Sequence, residues 1–176
     1  MNITTERLNI RNIRATDFDD MYEYMSDEDV MKYESNSFSR ESLETFLDEV
    51  IPSNRFFALI LKKTNKMIGH IYVGKTNPEK FNEYNVGYIL NPKYHKQGYC
   101  TEAVKVLCKY AFDVLHAHRL TAKCNPENVA SWRVMEKAGF VKEGLLRSKV
   151  ALRNDFIGNP IHTDELIYGM LREDIK

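Results

Sequence analysis

The sequence predicts an α+β fold, a mixed α/β arrangement in which helices and strands do not alternate strictly, within a single domain of residues 1–176. Two pairs of β-rich segments, one early and one late in the chain, are each joined by a polar segment and predict hairpins. Segments with helical periodicity lie among them and begin at residues that commonly cap helices. A chain of 176 residues can bury a substantial core, and it contains no repeat or linker that would divide it.

The N-terminal third is predicted to hold one strand and two helices. The alternating segment 8–11 predicts the strand, and Thr16 is expected to cap the first helix. The apolar face of that helix is expected to consist of Phe18, Met21, Tyr22 and Met25. Ser39 is expected to cap the second helix, which Pro52 and Asn54 end.

The middle of the chain is predicted to form a hairpin and then a strand–loop–helix unit. Segments 56–61 and 67–73 flank a polar turn and predict the hairpin. Segment 86–90 predicts a short buried strand, and the helix after it is expected to extend to about Leu115. Gly98 lies in the polar loop that joins this strand to the helix.

The C-terminal third is predicted to add a strand, a helix and a second hairpin. Segment 120–124 alternates as a strand does, and Asn128 is expected to cap a helix over 129–138. Segments 145–152 and 165–171 predict the terminal hairpin. Hairpins at both ends of a mixed chain are the pattern of an α+β fold rather than of a doubly wound one.

The composition narrows the functional classes. The formal net charge is zero, so the overall field gives no reason to expect a nucleic acid or a membrane as partner. The three cysteines, Cys100, Cys108 and Cys124, lack a CxxC spacing, which argues against a disulfide framework and a zinc site. The sequence has neither a signal-peptide pattern at its start nor an apolar segment of membrane-spanning length. We therefore expect a cytoplasmic protein that binds no metal.

The loop between segment 86–90 and the following helix has the features of an anion site. The first N–H groups of a helix have no partners within the helix, and the helix dipole places partial positive charge there. His95 and Lys96 lie beside this helix start, and Gly98 is close to it. A phosphate or diphosphate is the expected guest, and an ordinary strand-to-helix turn is the alternative.

Two segments in this order resemble the GCN5-related N-acetyltransferase (GNAT) superfamily, and within it the RimJ/RimL type that acetylates ribosomal proteins. They are residues 91–104, NPKYHKQGYCTEAV, and residues 125–147, NPENVASWRVMEKAGFVKEGLLR. Residues 5–33 and the segment KMIGHIYVG at 66–74 extend the resemblance over nearly the whole chain. The resemblance implies a splayed, mostly antiparallel central sheet flanked by helices. It also implies an enzyme that transfers the acetyl group of acetyl-CoA to a primary amine, on a protein N-terminus or a small molecule.

The resemblance implies where CoA binds. The main-chain amides expected to hold its diphosphate belong to Lys96, Gln97, Gly98, Tyr99, Cys100 and Thr101. The main chain of Ile89, Leu90 and Asn91 would contact the pantetheine arm as a neighbouring strand would. His95 stands where the family commonly has Gln or Arg, and Cys100 stands where it has a small residue. These departures predict weaker or shifted contacts rather than loss of the site.

The second segment implies a catalytic acid. Asn125, Asn128 and Ser131 are expected near the thioester, and Ser131 is the candidate that protonates the leaving thiolate. The tyrosine that many relatives use for this step would fall near Met135 in this chain. A capping or turn role is the alternative for Ser131.

The general base is less clearly marked in the sequence. Many relatives carry a glutamate at the position of Asn85, and an amide cannot act as a base. Glu83 lies two residues earlier on the same strand face and is the candidate base, acting through a water molecule. His70 is a second candidate, with a buried structural histidine as its alternative.

Charge is distributed unevenly along the chain. Residues 16–34 carry eight acidic side chains and one basic side chain, whereas residues 119–153 carry eight basic and three acidic ones. We expect the acidic stretch to attract a cationic amine and part of the basic stretch to face the CoA phosphates. A solvated acidic helix face is the alternative.

Two other functions fit the same sequence. The departures at Asn85 and Met135 are compatible with an acyl-CoA-binding regulatory protein that catalyses little. An acetyltransferase of polyamines or aminoglycosides keeps the chemistry and changes the acceptor. A homodimer through the C-terminal hairpin is also left open.

Overall fold

A computed structural model describes residues 2–175 as a sheet of eight strands with helices on both of its faces. The strands are β1 (Asn2–Thr4), β2 (Leu8–Asn12), β3 (Phe56–Leu61), β4 (Lys66–Lys75), β5 (Glu83–Leu90), β6 (Arg119–Cys124), β7 (Val141–Asn154) and β8 (Pro160–Met170). The α-helices are α1 (Phe18–Met25), α2 (Glu28–Met31), α3 (Arg40–Ser53), α4 (Tyr99–Asp113) and α5 (Val129–Ala138). None of the helices in the described part of the chain is long and apolar enough to cross a membrane.

The sheet is mostly antiparallel and has one parallel pair. Its strand order is β1-β2-β3-β4-β5-β6-β8-β7, and only β5 and β6 run parallel among the pairs of residues 2–175. These two strands pair only between residues 83–85 and 119–121. β5 continues to Leu90 and β6 to Cys124, but the two strands do not pair with each other beyond residues 85 and 121. The sheet therefore opens between their carboxyl ends. The predicted α+β class with a splayed sheet is confirmed.

The central strands are buried on both faces. In β3, Phe57, Leu59 and Leu61 belong to the core on the side of α4, whereas Ala58 and Ile60 belong to the core on the side of α1 and α3. Successive side chains of a strand point to opposite faces, so a continuous apolar run is what such a strand requires. The two cores fix the helices on either side of the splayed strands.

Thr16 does not cap the first helix, contrary to the prediction. A 3-10 turn covers Ala15–Asp17, and α1 begins only at Phe18. The Asp17 carboxylate accepts both Arg11 guanidinium N–H groups at 2.7 Å and the Arg14 main-chain N–H at 2.8 Å, which closes this turn before the helix starts.

The other helix caps agree with the sequence. Ser39 Oγ accepts the Ser42 N–H at 3.1 Å and starts α3, which contains Pro52 in its last turn. Asn128 Oδ1 accepts the Ser131 N–H at 3.1 Å and starts α5. The sequence did not reveal β1, and it underestimated the length of both strands of the terminal hairpin.

Candidate active site

The loop before α4 presents a run of main-chain amides without partners. Within residues 2–175, no acceptor is found for the N–H groups of residues 96–101, and the first paired amide is that of Glu102, 3.0 Å from the Gly98 carbonyl oxygen. Lys96 and Gly98 adopt left-handed conformations, with φ of 59° and 84°. Successive main-chain N–H groups in such a conformation are a common arrangement of anion-binding loops.

An ion pair between Arg7 and Glu102 holds this loop in place. The Arg7 Nε and Nη2 atoms each lie 2.7 Å from Glu102 Oε2, and Arg7 Nη1 donates to the Gln97 carbonyl oxygen at 2.8 Å. The guanidinium carbon lies 4.4 Å from the centre of the Tyr99 ring. One cation thus ties β2 to both sides of the loop, and it leaves the loop amides free.

Glu102 is the anionic half of this clamp. Its Oε1 accepts the Thr5 hydroxyl at 2.5 Å and the Arg7 main-chain N–H at 3.1 Å. Partial burial by itself would raise the pKa of Glu102, but the hydrogen bonds from Thr5 and Arg7 outweigh it and lower the pKa. The carboxylate therefore stays charged and keeps the clamp closed at neutral pH.

A cleft of about 790 Å³ lies between this loop, the end of β5, the start of α5 and the segment after α2. Its volume is in the range of small-molecule sites. Of the residues predicted to bind CoA, those that line the cleft are Ile89, Leu90, His95, Lys96, Gly98, Tyr99, Cys100, Thr101 and Asn128. Among the described residues, the lining does not include Asn91, Gln97 or Asn125.

The open edge of β5 offers main-chain groups to the cleft. Asn91 is buried and its N–H donates to the Ile68 carbonyl oxygen at 2.9 Å, so that amide is used by β4. Main-chain groups alternate in direction along a strand, and the groups of Tyr88 and Leu90 consequently face away from β4. His95 Nε2 lies 2.8 Å from the Leu90 carbonyl oxygen and fixes the loop against this edge.

Ser131 sits in the cleft beside a tyrosine hydroxyl. The Tyr88 hydroxyl donates to the Ser131 carbonyl oxygen at 2.8 Å, and its oxygen lies 3.1 Å from Ser131 Oγ. Burial raises the pKa of Tyr88 well above its usual value, so the phenol is neutral. Cys124, at the end of β6, also interacts with the Ser131 hydroxyl.

Met135 and Asn125 do not reach the cleft. Met135 is only 1% exposed and belongs to the core on the side of α4. Since a thioether also has no proton to donate, this position supplies no catalytic acid. Asn125 forms the turn before α5, where its Oδ1 accepts the Glu127 N–H at 2.8 Å.

Glu83 lies at the opposite end of β5 from the cleft. Its Oε2 lies 3.0 Å from Arg119 Nε, and its Oε1 accepts the Thr76 hydroxyl at 3.2 Å. Arg119 also forms an ion pair with Glu143. Within the described chain, Glu83 is not part of the cleft lining, and the structure does not bring it to Ser131.

His70 is a buried histidine bonded to a tyrosine. It is 4% exposed, and its Nδ1 lies 2.8 Å from the Tyr24 hydroxyl oxygen. Burial lowers the pKa of His70 to about 4, so the ring is neutral at pH 7. His70 is not among the described residues that line the cleft, and this environment is that of a structural histidine.

Cys100 faces the cleft but is not a reactive thiolate. Burial raises its pKa to about 12, which outweighs any effect of the helix start. The side chain packs against the core on the side of α4, as a small apolar residue would.

Four of the eight acidic side chains in residues 16–34 form ion pairs, namely Asp17, Asp19, Asp20 and Glu23. Asp19 lies 3.4 Å from Arg40, the Asp20 carboxylate accepts the Met67 N–H, and Glu23 is paired with two lysines. Those pairs lower the pKa of Glu23 to about 2. The acids that do line the cleft are Asp29, Glu34 and Glu127, which periodicity and motif spacing did not single out.

The residues present fit CoA. The six unpartnered amides of residues 96–101 could hold a diphosphate, and the free main-chain edge of β5 and the Ser131–Tyr88 hydroxyl pair lie along the same cleft. No group of three His, Cys, Asp or Glu side chains that could hold a metal ion occurs in residues 2–175.

Comparison with known proteins agrees with this geometry. Residues 7–141 match the sequence model of the Acetyltransferase (GNAT) domain. The crystal structure of an acetyltransferase (GNAT family) from Bacillus anthracis is 37% identical, with a TM-score of 0.89, and the match covers 98% of this chain and 99% of that one.

Two more distant structures share the fold alone. A ribosomal-protein-S5-alanine acetyltransferase from Vibrio fischeri is 24% identical with a TM-score of 0.80, and the match covers 100% of this chain and 99% of that one. A spermidine N-acetyltransferase from Vibrio cholerae, solved with CoA and spermine, is 20% identical with a TM-score of 0.79 over 97% and 99% of the chains. With the family match over residues 7–141, the chain belongs to the GNAT family and is an acetyl-CoA-dependent acetyltransferase.

Proposed function

We propose that this enzyme acetylates a cationic primary amine by direct attack on acetyl-CoA, with residues 96–101 holding the diphosphate and Ser131 serving the leaving sulfur. The observation that carries this proposal is the run of unpartnered amides in the same cleft as the Ser131–Tyr88 pair. Acetyl-CoA, when bound, supplies an acyl group that is already activated. The protein therefore has to position the amine, stabilise the charge that develops on the acyl oxygen and transfer the protons of the amine.

The residues of the cleft have separate tasks in this scheme. The exposed main-chain edge of β5 lies where it can donate N–H groups to the negative charge that develops on the acyl oxygen. Ser131 passes a proton from the attacking nitrogen to sulfur and ends as a neutral hydroxyl. Tyr88 holds that hydroxyl in place, because its own proton is directed to the Ser131 carbonyl oxygen.

The acceptor class is supported by the acids in the cleft. Asp29, Glu34 and Glu127 line the same cleft as the loop, and their carboxylates suit an ammonium group. The protein from Vibrio fischeri is named for a ribosomal-protein acceptor and that from Vibrio cholerae for spermidine. A protein N-terminus and a polyamine both present such a group, and the RimJ/RimL-type sequence features favour the first.

A thiol-release assay tests this function. Purified protein and acetyl-CoA are incubated with peptides that have free N-termini, with polyamines and with aminoglycosides, and released CoA thiol is measured. We expect release with at least one of these amines and an acetylated product by mass spectrometry. Binding of CoA by calorimetry without thiol release from any amine would instead identify an acyl-CoA-binding protein.

The terminal hairpin supports the proposal of a homodimer. It exposes apolar side chains near its tip, namely Leu152, Phe156, Ile157 and Ile161. Exposed apolar patches of this kind often mark protein interfaces. Sedimentation equilibrium should give twice the chain mass, and Ile161→Lys should lower it to one chain. A monomer for the unmodified protein would contradict this.

A further inference from the structure

Glu34 is held at a fixed place in the cleft wall. Its main-chain N–H and that of Ser35 both donate to the Met31 carbonyl oxygen, at 2.9 and 3.1 Å, and this ties the segment to the end of α2. Arg153 Nη2 from β7 donates to the Ser35 carbonyl oxygen at 3.2 Å. The backbone is thus anchored on both sides, and Glu34 is one of the residues that line the cleft.

The Glu34 carboxylate has no partner in the protein. Within residues 2–175, no hydrogen bond or ion pair is formed by this side chain, whereas Asp20 and Glu23 of the same acidic stretch are both paired. Glu34 is an exposed residue at the open cleft, yet enough protein surrounds its carboxylate for burial to raise its pKa. A partly desolvated carboxylate without a partner is poised to bind a cation or a proton.

Among the described acids that line the cleft, Glu34 is the one whose charge acts on the side chains beside Ser131. Burial raises the pKa of both Tyr88 and Cys124, and the negative charge of Glu34 raises each further. These two side chains flank Ser131. Asp29 and Glu127 line the same cleft without this effect on either group.

Other charged and titratable groups share this part of the cleft. They are Asp29, Lys32 and Tyr33 near Glu34 in the chain, Tyr88 from β5, Cys124 from β6, Glu127 and Arg133 around the start of α5, and Arg153 from β7. None of the cations among these described residues forms an ion pair with Glu34. The carboxylate is therefore available to a guest.

We propose that Glu34 binds the ammonium group of the acceptor and takes the proton that must leave before nitrogen can attack. The proposal rests on the acetyl transfer put forward above and assigns the base of that reaction. It differs from the assignment to Glu83, whose carboxylate is paired with Arg119 outside the cleft.

The step balances without a further reactant. One ammonium proton moves to the Glu34 carboxylate, which becomes a neutral carboxylic acid, and the free nitrogen lone pair forms the new C–N bond. The C–S bond breaks, and sulfur receives the second nitrogen proton through the Ser131 hydroxyl. Glu34 then releases its proton to water, so the net products are the amide, CoA thiol and one proton.

The test compares Glu34→Gln with Glu28→Gln. Glu28 lies in α2 of the same acidic stretch, is exposed and does not line the cleft, so it matches the change in charge. The acceptors are spermidine and a peptide with a free N-terminal alanine, and CoA affinity is measured by calorimetry on each protein. Rates are recorded from pH 6 to pH 10, and Glu34→Asp is added as the conservative variant.

We expect Glu34→Gln to lower kcat by about 100-fold at pH 7, the usual contribution of a general base, with an unchanged Kd for CoA. The difference in kcat between Glu34→Gln and the unmodified protein should become smaller as the pH approaches the pKa of the acceptor's ammonium group. Glu34→Asp should recover part of the rate. Glu28→Gln should behave as the unmodified protein does.

Several results would overturn the assignment. The assignment fails if Glu34→Gln has an unchanged kcat at pH 7. It also fails if the loss of kcat is the same at every pH, or if the variant no longer binds CoA. If the unmodified protein binds CoA but acetylates neither amine, the proposed acceptor class fails first, and the role of Glu34 fails with it.

Discussion

Tyr88 and Ser131 meet at the open end of the sheet, where the Tyr88 hydroxyl donates to the Ser131 carbonyl oxygen at 2.8 Å and lies 3.1 Å from Ser131 Oγ. Tyr88 comes from β5 and Ser131 from the first turn of α5, so the pair joins a strand and a helix that both line the cleft. Because the Tyr88 proton is directed to the Ser131 carbonyl oxygen, Ser131 Oγ is the donor of the 3.1 Å contact, and its proton has to turn from Tyr88 to reach a thiolate.

Removal of the Ser131 hydroxyl should slow the reaction without weakening CoA binding. We expect Ser131→Ala to lower kcat by roughly 100-fold, because proton transfer to the leaving group is lost. Tyr88→Phe should cost less, about tenfold, since it only loosens the position of Ser131. Steady-state kinetics and calorimetry check this, and an unchanged kcat for Ser131→Ala would leave the residue with a capping role alone.

The Arg7–Glu102 clamp should control CoA affinity from outside the cleft. Glu102→Gln removes the charge that holds Arg7 against the Gln97 carbonyl oxygen, and we expect roughly tenfold weaker CoA binding, about 1.4 kcal/mol. Glu44→Gln, at an exposed position of α3, is the matched control and should leave the Kd unchanged. Equal affinities for all three proteins in calorimetry would show that the loop needs no support.

Gly98 should matter for binding, and a second left-handed glycine should not. Gly98 and Gly158 both have positive φ, 84° and 92°, so alanine at either position should cost about 1 kcal/mol of folding free energy. Only Gly98→Ala should also weaken CoA binding, because relief of the strained φ and of the new Cβ, 3.3 Å from Arg7 Nη2, would move the amides of this loop. Urea unfolding gives the first quantity and calorimetry the second. Unaltered CoA affinity in Gly98→Ala would argue against a diphosphate at this loop.

His70 should make the folded protein sensitive to mild acid. Its pKa is lowered from 6.5 to about 4 by burial, so below pH 6.5 the unfolded chain binds a proton that the folded chain refuses. This contribution to stability is complete above pH 6.5 and falls by up to about 1.4 kcal/mol per pH unit between pH 6.5 and pH 4. His70→Asn should reduce that slope. Denaturant unfolding at pH 7.5 and pH 5 measures it, and identical slopes for both proteins would contradict the argument.

Local signals in the sequence predicted the starts of α3 and α5 and the amide loop, but not the start of α1. Asn128 and Ser39 cap the helices as expected, because a cap is a contact between residues three apart in the chain. The predicted amides 96–101 are the ones without partners in the described structure, since the orphan N–H groups of a helix start are fixed by its position.

Contacts between distant residues could not be predicted in the same way. Arg7 meets Glu102 across 95 positions of sequence, and no periodicity or spacing indicates that pairing. The strand period correctly placed Glu83 on the face of Asn85, but the ion pair with Arg119 depends on how β6 joins the sheet. The sequence marks Glu34 only as one charge of an acidic stretch, and the folded chain separates it from paired acids such as Asp20 and Glu23.

The most direct measurement compares the binding of CoA and of pantetheine by calorimetry under identical conditions. Pantetheine carries the reactive arm without the diphosphate, so it lacks the group that the amides of residues 96–101 are proposed to hold. We expect CoA to bind and pantetheine to bind at least about 100-fold more weakly, a difference of about 2.7 kcal/mol. Equal affinities, or no heat with CoA, would contradict the account.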